Sequence, residues 1–571
     1  MSARAVRPLA FPSDAALSVP GSKSEANRLL VIAALSQRRV VVHGASPTDD
    51  VRHLVRGLGT LGYEARFVDE GRGTVQVGPR AADAPTRGEL FCGNAGTAVR
   101  FLVSVAAVTP GEWIVTGDAH MQKRPIQPLV DAWRRLGVDV DARDGCPPVR
   151  VRGGLPDGGD VSIDGSVSSQ FVSSLLMVGA ALPAGLRASF EGSLASRSYA
   201  QLTVSLLQRF GIDATLTATH ARVARGYGDV PAEVQVGGDW SGMGAWSCLG
   251  HLDGSRVRSD NLVQGSGQAD EALGAVLDAL RGPGERTIDV EPLPDQFLNL
   301  AVVAALRDGT TRLVGAHNVR VKECDRVAVM ARELRRCGAD LDEHADGLTI
   351  RGGRALHGAT IDPEADHRVA MAFALLGSLV PGVSIDDPGC VAKSYPTFWD
   401  DLDAVHAQHR PVALVGMRGA GKTTLGRALA QHLGSRFVDT DQRFVAAHGD
   451  LAAFVAAHGW PAFREVEQGL VADALQAGCV VATGGGAIES EATRDLLRTR
   501  ACVVYVEAPL ELLQQRVRGS GRPSLTGAPI DAEVEPVLAR RAPLYRSIAH
   551  RTVDATLAAD RQLAEALRRQ P

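Results

Sequence analysis

Before residue 400 the chain alternates, six times over, between a polar cluster and a run of small apolar residues that follows it at once. The stretches are GSKSEANRLLVIAAL from Gly21, GNAGTAVRFLVSVAAV from Gly93, GSVSSQFVSSLLMVGAAL from Gly165, GDWSGMGAWSCLGHL from Gly238, PDQFLNLAVVAAL from Pro294 and DHRVAMAFALLGSL from Asp366. Apolar on nearly every face, each reads as a buried helix. Their starts lie 72, 72, 73, 56 and 72 residues apart, which fits one supersecondary unit of about 70 residues repeated along the chain. Between them lie short alternating or β-branched pieces with glycine at or near their ends, VVVHGAS at Val40, WIVTGD at Trp113, VRVRGG at Val149 and TIRGG at Thr349, which read as strands.

HAQHRP, residues 406–411, breaks this pattern, and a new module of strands and helices follows. VALVG is a short apolar strand, GMRGAGKT (Gly416 to Thr423) fits G-x-x-x-x-G-K-[ST], and TLGRALAQHL reads as an amphipathic helix. A strand before and a helix after is the setting a P-loop requires, with backbone N–H groups cradling phosphates, Lys422 reaching the β/γ oxygens and Thr423 binding Mg²⁺.

The 571 residues predict several domains, and 45% hydrophobic with 22% charged residues is ordinary for globular chains. A net charge of −4 gives no whole-chain reason for a nucleic-acid or membrane partner. No apolar stretch of about 18 residues and no leader pattern appear, so the cytoplasm is the expected compartment. Eight scattered cysteines without a CxxC read as reduced core fillers.

Each buried helix leaves unpaired N–H groups and a positive dipole end at its start, and Ser22, Asn94, Ser166, Ser168, Ser169 and Asp295 stand there as caps or ligands. Lys23, Arg28, Arg100, Arg124, Arg320, Lys322, Arg326, Arg368 and Lys393 lie beside these starts or in short polar loops. Cations gathered at positive helix ends repel one another unless a polyanion binds, so the ligand implied carries several negative charges. Asp295 and Glu323 stand among them as candidate proton-transfer groups, whereas Asp325 fits a structural pairing with Arg326 equally well.

The elements GSKSEANR, GNAGTAVR, KRPI, DGSVSSQF, SRSYA, the PD of PDQF, NVRVKECDR, DHR and CVAKSYP together resemble the 3-phosphoshikimate 1-carboxyvinyltransferase (EPSP synthase) family, in family order from about residue 7 to residue 405. The related UDP-N-acetylglucosamine carboxyvinyltransferases lack the KExDR element. The resemblance implies that Ser24, Arg28, Ser168, Ser169, Gln170, Ser196, Asp295, Asn318 and Lys322, with Lys23, hold 3-phosphoshikimate. Lys23, Gly96, Arg124, Gln170, Arg326, Arg368 and Lys393 would hold phosphoenolpyruvate. It implies that Asp295 accepts the proton of the attacking 5-hydroxyl, that Glu323 with Lys23 delivers a proton to the methylene carbon, and that no metal takes part. Phe101, where many members have proline, and Cys324, where threonine is common, depart from the pattern.

After residue 411, FVDTD (Asp439, Asp441), FREVE (Arg464), VVATGGGA (Gly484 to Gly486), GRPSL (Arg522) and RRAPLY (Arg541) join the P-loop in resembling shikimate kinase. The resemblance implies that ATP is held by Gly419, Ala420, Gly421, Lys422, Thr423, Thr424 and the lid residue Arg522, with Lys422 catalytic. Mg²⁺ would be held by Thr423 and Asp439, and shikimate by Asp441, Arg464, Gly485 and Arg541. HGW before FREVE stands where Gly-Glu is usual.

The expected architecture is α/β: a two-lobed EPSP synthase-like fold of six repeat units over residues 1–405, with lobes of about 21–237 and 1–20 plus 238–405 and a hinge near 20 and 238. A 406–411 linker and a P-loop kinase parallel-sheet domain over 412–571 complete it. The expected activity is bifunctional: shikimate and ATP give 3-phosphoshikimate, which takes the enolpyruvyl group from phosphoenolpyruvate. The alternatives are that one module is a noncatalytic binding or regulatory domain, or that the kinase acts on another small polyol. The expected partners are these small molecules, with neither nucleic acid nor membrane.

Overall fold

A computed structural model describes residues 3–190, 194–518, 529 and 532–567. The chain forms two compact units: residues 1–8, 17–252 and 259–399 make the first, and 9–16, 253–258 and 400–571 the second.

In the first unit all six apolar runs are helices: Lys23–Leu35, Gly96–Val108, Ser169–Gly179, Trp240–Asp253, Phe297–Leu306 and His367–Gly377. Four repeats share one sheet plan, a parallel pair followed by two antiparallel neighbours. In one of them Arg87–Phe91 runs parallel to Gly111–Thr116, which pairs antiparallel with Cys146–Gly153, and that in turn with Asp139–Arg143. The order recurs in the sheets built on Val40–His43, Leu186–Phe190 and Gly309–Val314. The repeat beginning at Gly238 departs from the plan. Its strand Arg256–Ser259 pairs with Asp14–Leu17 in a two-stranded sheet. One continuous core joins buried residues from Ala26 to Val236. Where the chain crosses at residues 20 and 238, Asp239 N donates to Pro20 O (2.9 Å) and Ser22 N to Gly237 O (2.8 Å).

The second unit is built on a five-stranded parallel sheet in the order Arg436–Asp439, Cys479–Ala482, Val412–Val415, Cys502–Glu507, Arg551–Asp554. The central strands are apolar at nearly every position because helices cover both faces. Among the described residues no helix is long and apolar enough to cross a membrane.

The module expected to start at residue 412 takes in more of the chain. Phe11, 1% exposed, sits in the core of the second unit among residues of the parallel sheet, with the Arg551 guanidinium 4.3 Å from its ring centre. Arg551 Nη2 donates to Ala10 O (2.8 Å) and Ser13 Oγ to Val405 O (2.7 Å). Residues 406–411, expected as a linker, are folded within this unit. His409 is buried, bridges to Ser13, and receives the amide N–H of Gly478 at its carbonyl (2.7 Å). Spacing and motif match follow the sheet strands and do not register a short segment that fills its core from far away in sequence.

Removing a buried phenylalanine ring costs about 3–5 kcal/mol, so Phe11→Ala should loosen the second unit selectively. Hydrogen exchange should quicken in Val412–Val415 and Cys502–Glu507 and stay unchanged in Val40–His43; equal quickening in both would show that Phe11 supports the whole chain.

Candidate active sites

The helix starts of the first unit converge. Lys23 and Ser24 at the first helix, Gly96 and Thr97 at the second, Ser168, Ser169 and Gln170 at the third, Asp295 before the fifth, and His367 and Arg368 at the sixth all line one cavity. Five N-terminal dipole ends therefore point at a common space. Six lining cations, Lys23, Arg100, Arg124, Lys322, Arg326 and Arg368, face three lining carboxylates, Asp50, Asp295 and Glu323. The surplus is positive, as an anionic ligand requires.

Arg326 holds the carboxylates in place. Almost wholly buried, its guanidinium reaches Asp295 Oδ1 (3.0 Å), Glu323 Oε2 (2.9 Å) and Asp366 Oδ2 (2.7 Å). Asp366 caps the sixth helix by accepting from Arg368 N (2.8 Å). Asp295 also meets Arg368 (3.1 Å) and Lys322 (3.2 Å), and accepts from Tyr199 Oη (2.8 Å). Burial alone would raise the Asp295 carboxyl, but Arg368, Lys322 and Arg326 outweigh it and hold it well below the usual range. Glu323 behaves alike: burial is overcome by Lys393 (3.0 Å) and Arg326, with Arg124 adding. Burial likewise works against the Lys23 ammonium, and Asp50 (3.0 Å) with Glu323 more than reverses it. The surrounding charges thus favour the ionised form of both acids and the protonated form of Lys23.

The other expected residues divide. Ser196, held in the left-handed region at φ 50°, Asn318 and Lys322 line the cavity. A Cβ at Gly96 would come within 2.7 Å of the Arg124 guanidinium, which would have to move aside. Arg28 and Lys393 do not line the cavity. Arg28 is spent on the protein: it donates to Thr203 Oγ1 (2.7 Å), Ser24 O (2.8 Å), Ser173 Oγ (3.3 Å) and Tyr199 O (3.2 Å), behind the wall. Phe101 lies under that guanidinium, 5.4 Å from it and buried. Cys324 turns its thiol toward Asp366 Oδ2 (3.6 Å). Arg100, one of the cations placed beside the helix starts, lines the cavity, and so do Asp50, Thr97, Tyr199 and His367, which were not singled out for it. Tyr199 was within reach, since SRSYA is one of the motifs.

In the second unit the P-loop wraps the start of helix Lys422–Leu433, with Gly416, Gly419 and Gly421 at φ 146°, 80° and 105°. Ala420 is buried in the loop and Thr424 lies in the first turn of the helix. Lys422 Nζ donates to Gly416 O (2.9 Å) and Met417 O (3.0 Å), and Thr423 Oγ1 to Asp439 Oδ2 (2.8 Å). A neighbouring cavity is lined by Asp441, Arg464, Gly485 and Arg541 together with Arg418, Glu467, Trp460 and Phe463. The glycine run is a requirement of space: a Cβ on Gly486 would land on the Arg464 guanidinium, and one on Gly484 on Glu467. The HGW departure shows as a break in helix Leu451–Ala474, where Gly459 takes φ 81°, and Arg464 then lies 5.5 Å from the ring centre of Trp460. Arg522 lies outside the described residues.

The EPSP synthase family model matches residues 12–402 and the shikimate kinase model residues 418–570. The pentafunctional AROM polypeptide of Komagataella phaffii is 33% identical over 550 residues, covering 85% of this chain and 36% of its own length. That of Yarrowia lipolytica is 32% identical over 592 residues, covering 93% and 38%. The chain thus spans little more than a third of these relatives. A solved EPSP synthase from Acinetobacter baumannii superposes with a TM-score of 0.58 at 23% identity, over 71% of this chain and 98% of that one, and shows the fold. A cavity with a surplus of lining cations and a P-loop mark two separate modules. The chain belongs to the EPSP synthase family, with a shikimate kinase domain following in its C-terminal part.

Arg326→Gln should cost about 3–5 kcal/mol at pH 7, since it leaves carboxylates buried without their partner. The folded-state values of Asp295 and Glu323 lie below their unfolded ones, so the stability they contribute exists above about pH 4 and is lost as pH falls through the folded values. Thermal melts across that range should show the gap between variant and wild type closing toward acid; a gap independent of pH would mean that Arg326 acts through packing alone.

Proposed function

We propose that the first unit transfers the enolpyruvyl group of phosphoenolpyruvate to the 5-hydroxyl of 3-phosphoshikimate, and that the second makes that acceptor from shikimate and ATP. The observation that carries the first half is the meeting of five helix starts and six cations around two ionised carboxylates, a setting suited to two polyanions. Asp295 takes the proton of the 5-hydroxyl as its oxygen bonds to C2 of phosphoenolpyruvate, while the methylene carbon gains a proton from Glu323 or Lys23. Loss of phosphate, with removal of a proton from that methyl group, restores the double bond. Lys393 and Arg326 favour the ionised form of Glu323 against its burial, so its service as a donor depends on the substrate anions, which offset the cations and raise its proton affinity. The Lys23 ammonium, favoured by Asp50 and Glu323 against its burial, stands ready at the same wall.

The shikimate kinase family uses ATP. In the second unit the P-loop amides and Lys422 receive the phosphates. The hydroxyl of Thr423 and the carboxylate of Asp439 form a hard-oxygen pair that fits Mg²⁺, which when bound would neutralise phosphate charge. Asp441 meets the ring hydroxyls, Gly485 brings backbone close to the acceptor, and Arg464 and Arg541 suit a carboxylate because their planar forks bind it in pairs. The product of this unit is the acceptor of the other, which favours shikimate over another polyol.

Lys422→Ala should abolish phosphorylation of shikimate and leave enolpyruvyl transfer to supplied 3-phosphoshikimate within about twofold; loss of both in a folded protein would overturn the two-site reading.

Asp295→Asn keeps the shape but accepts no proton, so transferase turnover should fall roughly 10²- to 10⁴-fold. Near-normal turnover would remove Asp295 from the proton path.

A further inference from the structure

Behind the two clamp arginines of the second unit stands an acid that none of the quoted motifs includes. Glu489 ends the turn Ala487–Glu489 that follows the glycine run. Its Oε2 accepts from Arg464 Nη2 (3.1 Å) and Arg541 Nη2 (2.9 Å) at once, and its Oε1 from Arg540 Nη2 (2.5 Å). Arg464 and Arg541 line the cavity and Glu489 does not. The carboxylate therefore grips the guanidiniums from the far side. The other terminal nitrogen of Arg464 is fixed by Glu467 Oε2 (2.5 Å). Arg541 is buried, and its Nε has no partner among the described residues, so donor capacity remains. The turn itself is pinned, with Arg494 Nη1 donating to Ile488 O (2.8 Å) and Glu489 O (3.1 Å).

We infer that Glu489 is a positioning residue: by bridging Arg464 and Arg541 through one oxygen, it sets the spacing and aim of the pair that receives the acceptor's carboxylate, and so sets the preference for an anionic acceptor. Two guanidiniums sharing an edge of a cavity repel, and without the bridge they swing apart to separate acceptors. The arrangement follows a general pattern in which ligand-binding groups owe their orientation to hydrogen bonds made on their other side. Glu489 is held in its charged form: burial pushes its carboxyl up, and the bonds to Arg541 and Arg540 more than reverse this.

The inference rests on the reading of Arg464 and Arg541 as the carboxylate clamp, and the test separates the two. In the full-length chain, Glu489→Gln, which preserves shape, should raise the KM for shikimate about tenfold, the size expected for losing a charge-assisted bond. kcat and the KM for ATP should stay within about twofold. Shikimate methyl ester has no carboxylate to place, so the preference of shikimate over the ester in kcat/KM should shrink by the same factor. Glu489→Asp, which keeps the charge but shortens the arm, should also raise the shikimate KM, and it serves if the amide variant does not accumulate. Enolpyruvyl transfer reports that the chain is folded. Arg464→Gln is measured alongside. If it raises the shikimate KM and the Glu489 variants leave both KM and the ester preference unchanged, the positioning role is wrong; if Arg464→Gln itself leaves the KM unchanged, the clamp reading falls first.

Discussion

A guanidinium cut off from water has to find acceptors for its N–H groups within the protein, and Arg326 finds them on three carboxylates from three parts of the chain. Asp295 comes from the turn ahead of one buried helix, Asp366 from the cap of another, and Glu323 from the loop just before Arg326 itself. Moving any one of these elements would strand a buried charge, so the ion cluster fixes the geometry of the cavity floor as firmly as the apolar core fixes its walls. It also decides what the cavity is for. With both acids favoured in their ionised form and six cations along the same walls, the cavity keeps a positive surplus that favours an anionic ligand.

The second unit solves the related problem of holding cations ready by removing side chains. At Gly484 and Gly486 the room a Cβ would occupy is taken by Glu467 and by the Arg464 guanidinium. The loop that would otherwise separate the sheet from the cavity is thin enough for charged heads to press against its backbone. The P-loop glycines answer a different need, since their positive φ values turn successive amides the same way.

Much of this was legible in the chain. The six helices stand where the apolar runs place them, and the P-loop where its glycines and lysine place it, because both signals are local. What sequence spacing does not carry is facing. Arg28 and Arg326 both stand beside helix starts, yet one spends its N–H groups behind the wall and the other anchors the acids; only the third dimension distinguishes them. Asp50 reaches the cavity through packing, with no motif to mark it, while Tyr199 and His367 lie inside the SRSYA and DHR elements but were not read as lining residues. Glu489 lies three residues beyond a quoted glycine run, and its role emerges only when Arg464 and Arg541, 77 positions apart, meet on it.

Phe11 closes the core of a sheet whose first strand to be synthesised, Val412–Val415, comes roughly 400 residues later. At ribosomal rates of roughly 5–20 residues per second, residues 9–16 wait some 20 to 80 s before the surface they complete exists. During translation the first unit can assemble around Leu17–Leu252 while residues 9–16, which belong to the second, stay unsatisfied. The order of synthesis thus runs against the order of packing, since residues 9–16 are made well before the strands that cover the Phe11 ring.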